Sequence, residues 1–169
     1  MQTKSRLAVL LAACLFLAAS GTTQNAPTAR PNPPAGFPDL AGGLKATPGC
    51  LGVETARTSG GKNVIFAWFE NKEAVRRWYF SETHLKAMQM GVPGHKPGEP
   101  MQNVPDNVGP ILAIASLTLG DKPGFEGVTL PISQISIELY TPVTGGIFLG
   151  GRFAPESLKV PGMHDYTPK

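Results

Sequence analysis

The chain has 169 residues, a formal net charge of +3 and a pI near 9.0, with 20 glycines and 17 prolines. That length suits one domain with a single core. Much of the positive charge sits in Lys4 and Arg6 at the extreme N-terminus; without them 13 basic face 12 acidic side chains, with no basic cluster of the kind that nucleic acid or an anionic membrane surface would require.

Those two cations precede an almost wholly apolar run, Leu7 to Ala19, and then Ser20-Gly21, the pattern of a secretory signal peptide cleaved after Ser20. The run falls short of the ~20 residues of a membrane span, so the expected product is secreted or periplasmic. Leu11-Ala12-Ala13-Cys14 offers the alternative of a lipoprotein attached through Cys14. Residues 21–38 hold Pro27, Pro31, Pro33, Pro34 and Pro38 with little apolar content, and read as a disordered tether. A single domain is expected over 39–160, with 161–169 as a tail.

The domain opens with a short helix from Asp39 to Ala46, weakened by Gly42 and Gly43. Leu51 to Thr58 reads as a strand, Ser59 to Lys62 as a hairpin turn, and Asn63 to Glu70 as a second strand in which Val64, Phe66 and Trp68 alternate with Ile65, Ala67 and Phe69. A helix starts at once: Asn71 caps its first turn and Glu73 lies at the positive end of its dipole. Phe80-Ser81 marks a break, with Ser81 capping a second short helix that carries Leu85 and Met88 and ends at Gly91 and Pro93. Cys50, the only cysteine left after processing, excludes an intramolecular disulfide and reads as an inert, buried thiol.

A twenty-residue, proline-rich loop follows from Gly91 to Pro110, long enough to be either a lid or a plain surface excursion. Three further strands are expected at Ile111 to Leu119, Ile132 to Tyr140 and Ile147 to Phe153. In the second, Ile135, Ile137 and Leu139 alternate with Gln134, Ser136, Glu138 and Tyr140, giving one apolar and one polar face. Thr141 to Gly146 is expected to turn this strand into the last one as an antiparallel hairpin, setting Glu138 across from Arg152 with Tyr140 nearby.

Pro48-Gly49-Cys50-Leu51-Gly52-Val53-Glu54, a strand ending in Trp68-Phe69-Glu70-Asn71-Lys72-Glu73-Ala74, and Trp78-Tyr79-Phe80-Ser81-Glu82-Thr83-His84 together resemble the core of the antibiotic-biosynthesis-monooxygenase family of dimeric α+β barrels, over residues 48–88 only. The resemblance implies an α+β fold: a ferredoxin-like half-barrel, mostly antiparallel with one main helix, that pairs with a second copy and holds a small organic molecule between sheet and helices. The chain departs from the family in lacking the usual first strand, so a strand of the second half is expected in its place. Cofactor-independent oxygenation of a small aromatic or quinone-like substrate is one implied activity.

His84, which titrates near neutral pH, is the candidate catalytic base. Trp68, Trp78, Met88, Tyr140 and Arg152 are the candidate ligand-binding residues. In the haem-degrading branch of the family a Ser and then a His follow the Trp; Trp78 and Ser81 fit, but Met88 stands where the haem ligand would fall. His95 and His164 have no carboxylate or cysteine at metal-ligand spacing. No phosphate-binding glycine loop and no G-x-S-x-G is present. The sequence therefore points to an exported homodimer that binds a small hydrophobic or aromatic molecule as a non-catalytic binding or structural module, with no cofactor and no metal; the oxygenase is the alternative.

Overall fold

The computed structural model describes residues 36–169. The expected signal peptide, Cys14 and nearly all of the expected tether lie outside the described residues. Within them the chain is an α+β domain whose elements run α1 (Leu40–Ala46), β1 (Cys50–Arg57), β2 (Asn63–Phe69), α2 (Lys72–Tyr79), α3 (Glu82–Gly91), β3 (Ile111–Leu119), β4 (Ile132–Tyr140), β5 (Ile147–Phe148) and β6 (His164–Asp165).

Local chemistry sets most of these boundaries. The Asp39 carboxylate accepts from Gly42 N at 2.9 Å and starts α1. Asn71 accepts from Ala74 N at 3.0 Å to start α2, and Ser81 accepts from His84 N at 3.2 Å to start α3. The β1–β2 turn closes through Thr58, whose N–H donates to Lys62 O while its Oγ1 accepts from Lys62 N. Gly49, at φ +85°, lets the chain swing into β1; a Cβ there would lie 2.6 Å from that of Ala74, so helix α2 and this turn touch only because the side chain is missing.

Strands β1 to β4 form one antiparallel sheet in the order β1-β2-β3-β4, an arrangement compatible with a ferredoxin-like fold. β3 is the strand that lies against β2, so the neighbour missing from the first half of the sequence is supplied by the second half. On one face Val53, Ala67, Phe69 and Ile111 pack with Leu44 of α1 and Ala74 and Val75 of α2; Phe69 and Ala74 have no exposed surface. The long loop contributes Met101 and Val108 to the same core. Its position is held from outside by Lys72, whose Nζ donates to Val104 O at 2.6 Å and pairs with Asp106 at 2.8 Å, and by Arg76, 2.6 Å from Glu99. The loop thus closes the end of the core.

The expected hairpin between Ile132–Tyr140 and Ile147–Phe153 does not form. Within the expected strand Gly150 and Gly151 have φ of +71° and +148°, outside the extended range, and only Ile147–Phe148 remain a strand. That strand pairs in parallel with His164–Asp165, drawing the residues expected to trail as a tail back into a small second sheet. The segment between them crosses the other face of the main sheet. Phe153 sets its ring edge-on to Phe66 and Trp68, at centroid distances of 5.0 and 5.2 Å, and Pro155 comes so near Gly52 that a Cβ there would meet it at 2.8 Å.

Because Phe69 is fully enclosed, Phe69→Ala should cost about 3–5 kcal/mol of stability. Urea unfolding of the purified domain will show this as a lowered midpoint with an unchanged slope.

Candidate functional site

The candidate residues fall into separate groups. Trp78, Tyr79 and His84 meet at the junction of α2 and α3, with the His84 ring 5.2 Å from each of the other two. His84 Nδ1 lies 2.8 Å from Tyr79 O; a carbonyl can only accept, so Nδ1 carries the proton and Nε2 the lone pair. Burial holds the imidazole below its ordinary pKa, opposed by the Tyr79 hydrogen bond. Met88 is half-buried one turn along α3 from His84, on the same face of the helix.

Trp68 and Tyr140 lie elsewhere. Trp68 is opposite Leu112, and Leu112 is opposite Tyr140, so all three project from the sheet face turned away from the helices. The sheet separates them from Trp78 and His84. The space between sheet and helices, where a ligand cavity was expected, is filled around Phe69, Ala74 and Ile111.

Arg152 does not meet Glu138. Its guanidinium donates to Pro155 O at 2.7 Å and Leu158 O at 2.6 Å, and one nitrogen lies 3.4 Å from the Met163 sulfur. These contacts tie the C-terminal segment into its loop. Glu138 instead accepts from the Tyr140 hydroxyl and from Ser136 Oγ, which together hold its carboxyl below the usual range, while the Tyr140 bond raises the phenol. Cys50 is half-buried, with its thiol pushed up by desolvation, as an unreactive thiol would be.

Two open grooves are present among the described residues, both away from the helix–sheet interior. One, of about 540 Å³, surrounds Arg152 with Lys159, Glu156 and Met163, but Arg152 Nη2 is already committed to two backbone carbonyls and Nη1 to the Met163 sulfur. The other, of about 410 Å³, lies over the polar face of β3 and β4, between Lys62 and Phe125. Ser116, Thr118, Gln134 and Ser136 form its floor. Ser116 and Ser136 hydroxyls lie 2.9 Å apart, and Ser136 continues to Glu138 at 3.0 Å, so the floor is a connected row of donors and acceptors. The sequence signal for it was the polar alternation of Gln134, Ser136 and Glu138; Lys62, in a turn, and Phe125, in a loop, gave none.

Among the described residues no group of three or more His, Cys, Asp or Glu side chains is placed to hold a metal ion, and no helix is long and apolar enough to cross a membrane. Comparison with protein-family models, with curated proteins and with solved structures gave no match.

Two outcomes follow from this geometry. The lowered His84 pKa means that the unfolded chain takes up a proton more readily than the folded one, so stability is full above the ordinary imidazole value of 6.5 and is lost as pH falls through it toward the depressed folded value. Thermal unfolding measured between pH 8 and pH 5 should show this decline in the wild type and a flatter profile in His84→Gln. Separately, Arg152→Met leaves carbonyl oxygens without their donor, at about 1–3 kcal/mol; amide exchange should quicken across residues 153–166 while β2 and β3 keep their protection.

Proposed function

We propose that the protein is an exported, non-catalytic binding module on a ferredoxin-like half-barrel, working as a homodimer and taking a small aromatic molecule with an anionic or hydrogen-bonding substituent. The observation that carries this reading is the groove over β3 and β4. Its floor offers hydroxyls and an amide, its rim a cation at Lys62 and an exposed ring at Phe125. A planar ligand would stack on Phe125, turn its polar group toward Ser136 and Lys62, and shed apolar surface from water. The groove holds no acid/base pair among its lining residues, which favours binding over reaction.

The oxygenase alternative has one observation in its favour. His84 is held neutral with its basic lone pair on Nε2, beside the Trp78 ring. There it would act as the base that deprotonates an electron-rich phenol before it meets dioxygen.

Isothermal titration with benzoate, 4-hydroxybenzoate and a naphthoquinol tests the groove directly. Binding of at least one should weaken tenfold or more, about 1.4 kcal/mol, in both Lys62→Glu and Ser136→Leu, and be unchanged in His84→Ala. Undiminished binding in both groove variants would remove the reading. Oxygen uptake with the naphthoquinol should stay at background in wild type and His84→Ala alike; a rate that only the wild type shows would install the oxygenase instead.

A further inference from the structure

The two edges of the main sheet are treated differently. Along β1 the C-terminal segment stands guard: Pro155 packs on Gly52 and Ser157 Oγ donates to Leu51 O, while Glu54 and Arg57 place charges on the strand. Such charges and covering loops are the usual protection of an edge against pairing with another chain. β4 has none of it. Its nine residues form the far edge, most of them are exposed, it contains no proline and no lysine, and its single charge is Glu138.

The apolar row on this strand is also uncovered. Ile135, Ile137 and Leu139 face the helix side of the sheet, yet α1 and α2 stand over β1 and β2, and the three side chains are 56%, 61% and 39% exposed. A row of aliphatic residues beside an open ladder of backbone N–H and C=O groups is a template for strand addition.

We infer that the free edge of β4 is the surface through which two copies of this chain associate, pairing antiparallel about a two-fold axis through Ile137. The inference rests on the homodimer proposed above and identifies its contact. What selects a second copy as occupant is the self-complementarity of the strand. Antiparallel pairing centred on Ile137 sets Ile135 of one copy against Leu139 of the other and Ile137 against Ile137, three apolar cross-strand pairs on one face. On the opposite face the same register sets Glu138 against Ser136 and Gln134 against Tyr140. Each carboxylate thus meets a hydroxyl, and the two Glu138 side chains, the only charges on the strands, avoid facing each other. The two four-stranded sheets become one of eight strands.

Light scattering of the mature chain at micromolar concentration, with Ile135→Lys and Ile137→Lys alongside, tests this. Both positions are exposed, so the variants should keep the wild-type circular dichroism. The expected result is a wild-type dimer and monomeric variants. For register, Cys50→Ser chains carrying Ile137→Cys should cross-link to themselves with a short bis-thiol reagent, and chains carrying Val143→Cys, an exposed position beyond the strand, should not. A monomeric wild type, a dimer that survives both lysines, or equal cross-linking at the two positions would overturn the inference; a monomer that captures a foreign extended peptide on β4 would assign the edge to another partner. Titration with benzoate on the same samples keeps the two proposals apart: lost binding in a persistent dimer counts against the groove alone, and lost dimerisation with intact binding leaves the groove standing.

Discussion

β2 is apolar on both faces, and the architecture follows from the need to cover it twice. Ile65, Ala67 and Phe69 point to one side, Val64, Phe66 and Trp68 to the other, and Val64, Ala67, Trp68 and Phe69 are buried. A strand of this kind is stable only inside a sheet with cover on both sides. The helices provide one cover, brought back directly by the caps at Asn71 and Ser81. The other comes from residues 153–158, which arrive from the far end of the chain and are held there by Arg152. The Gly49 and Gly52 positions record how closely both covers approach.

That two-sided demand decides where a ligand can lodge. With Phe69, Ala74 and Ile111 filling the helix side and Phe153 crossing the Trp68 side, the space over β1 and β2 is occupied. The cover runs out toward β3 and β4. There the sheet offers a polar face with a groove on one side and a bare apolar row on the other, so the proposed ligand groove and the proposed contact with a second copy share the same half of the sheet. His84, the most conspicuous titratable group in the sequence, serves the α2–α3 junction through its bond to Tyr79 O.

Local patterns were readable where the interaction that stabilises an element lies within a few residues of it. The β1–β2 hairpin, the break at Phe80-Ser81, the caps at Asn71 and Ser81, and the limits of β3 and β4 all depend on neighbours in the chain. The segment after Tyr140 was read as a strand because Ile147 to Phe153 is mostly apolar. Its glycines permit φ values that a strand does not have, and alternation of apolar residues carries no information about which glycines will use that freedom. The Glu138–Arg152 pair failed with it, since both its members were placed by a hairpin that the backbone does not make.

The amino-acid sequence by itself determined the element types as far as Tyr140, the two-faced character of β2 and the split faces of β4, because these are consequences of side-chain periodicity and capping chemistry. Only the tertiary structure decided which residues of the candidate site meet. Trp78 and His84 come together across a helix junction, while Trp68 and Tyr140 are set on the other side of the sheet by two successive strand pairings, Trp68 with Leu112 and Leu112 with Tyr140. Register of that kind is a global property: it is fixed by how all four strands bury their apolar faces at once, and no single segment contains it.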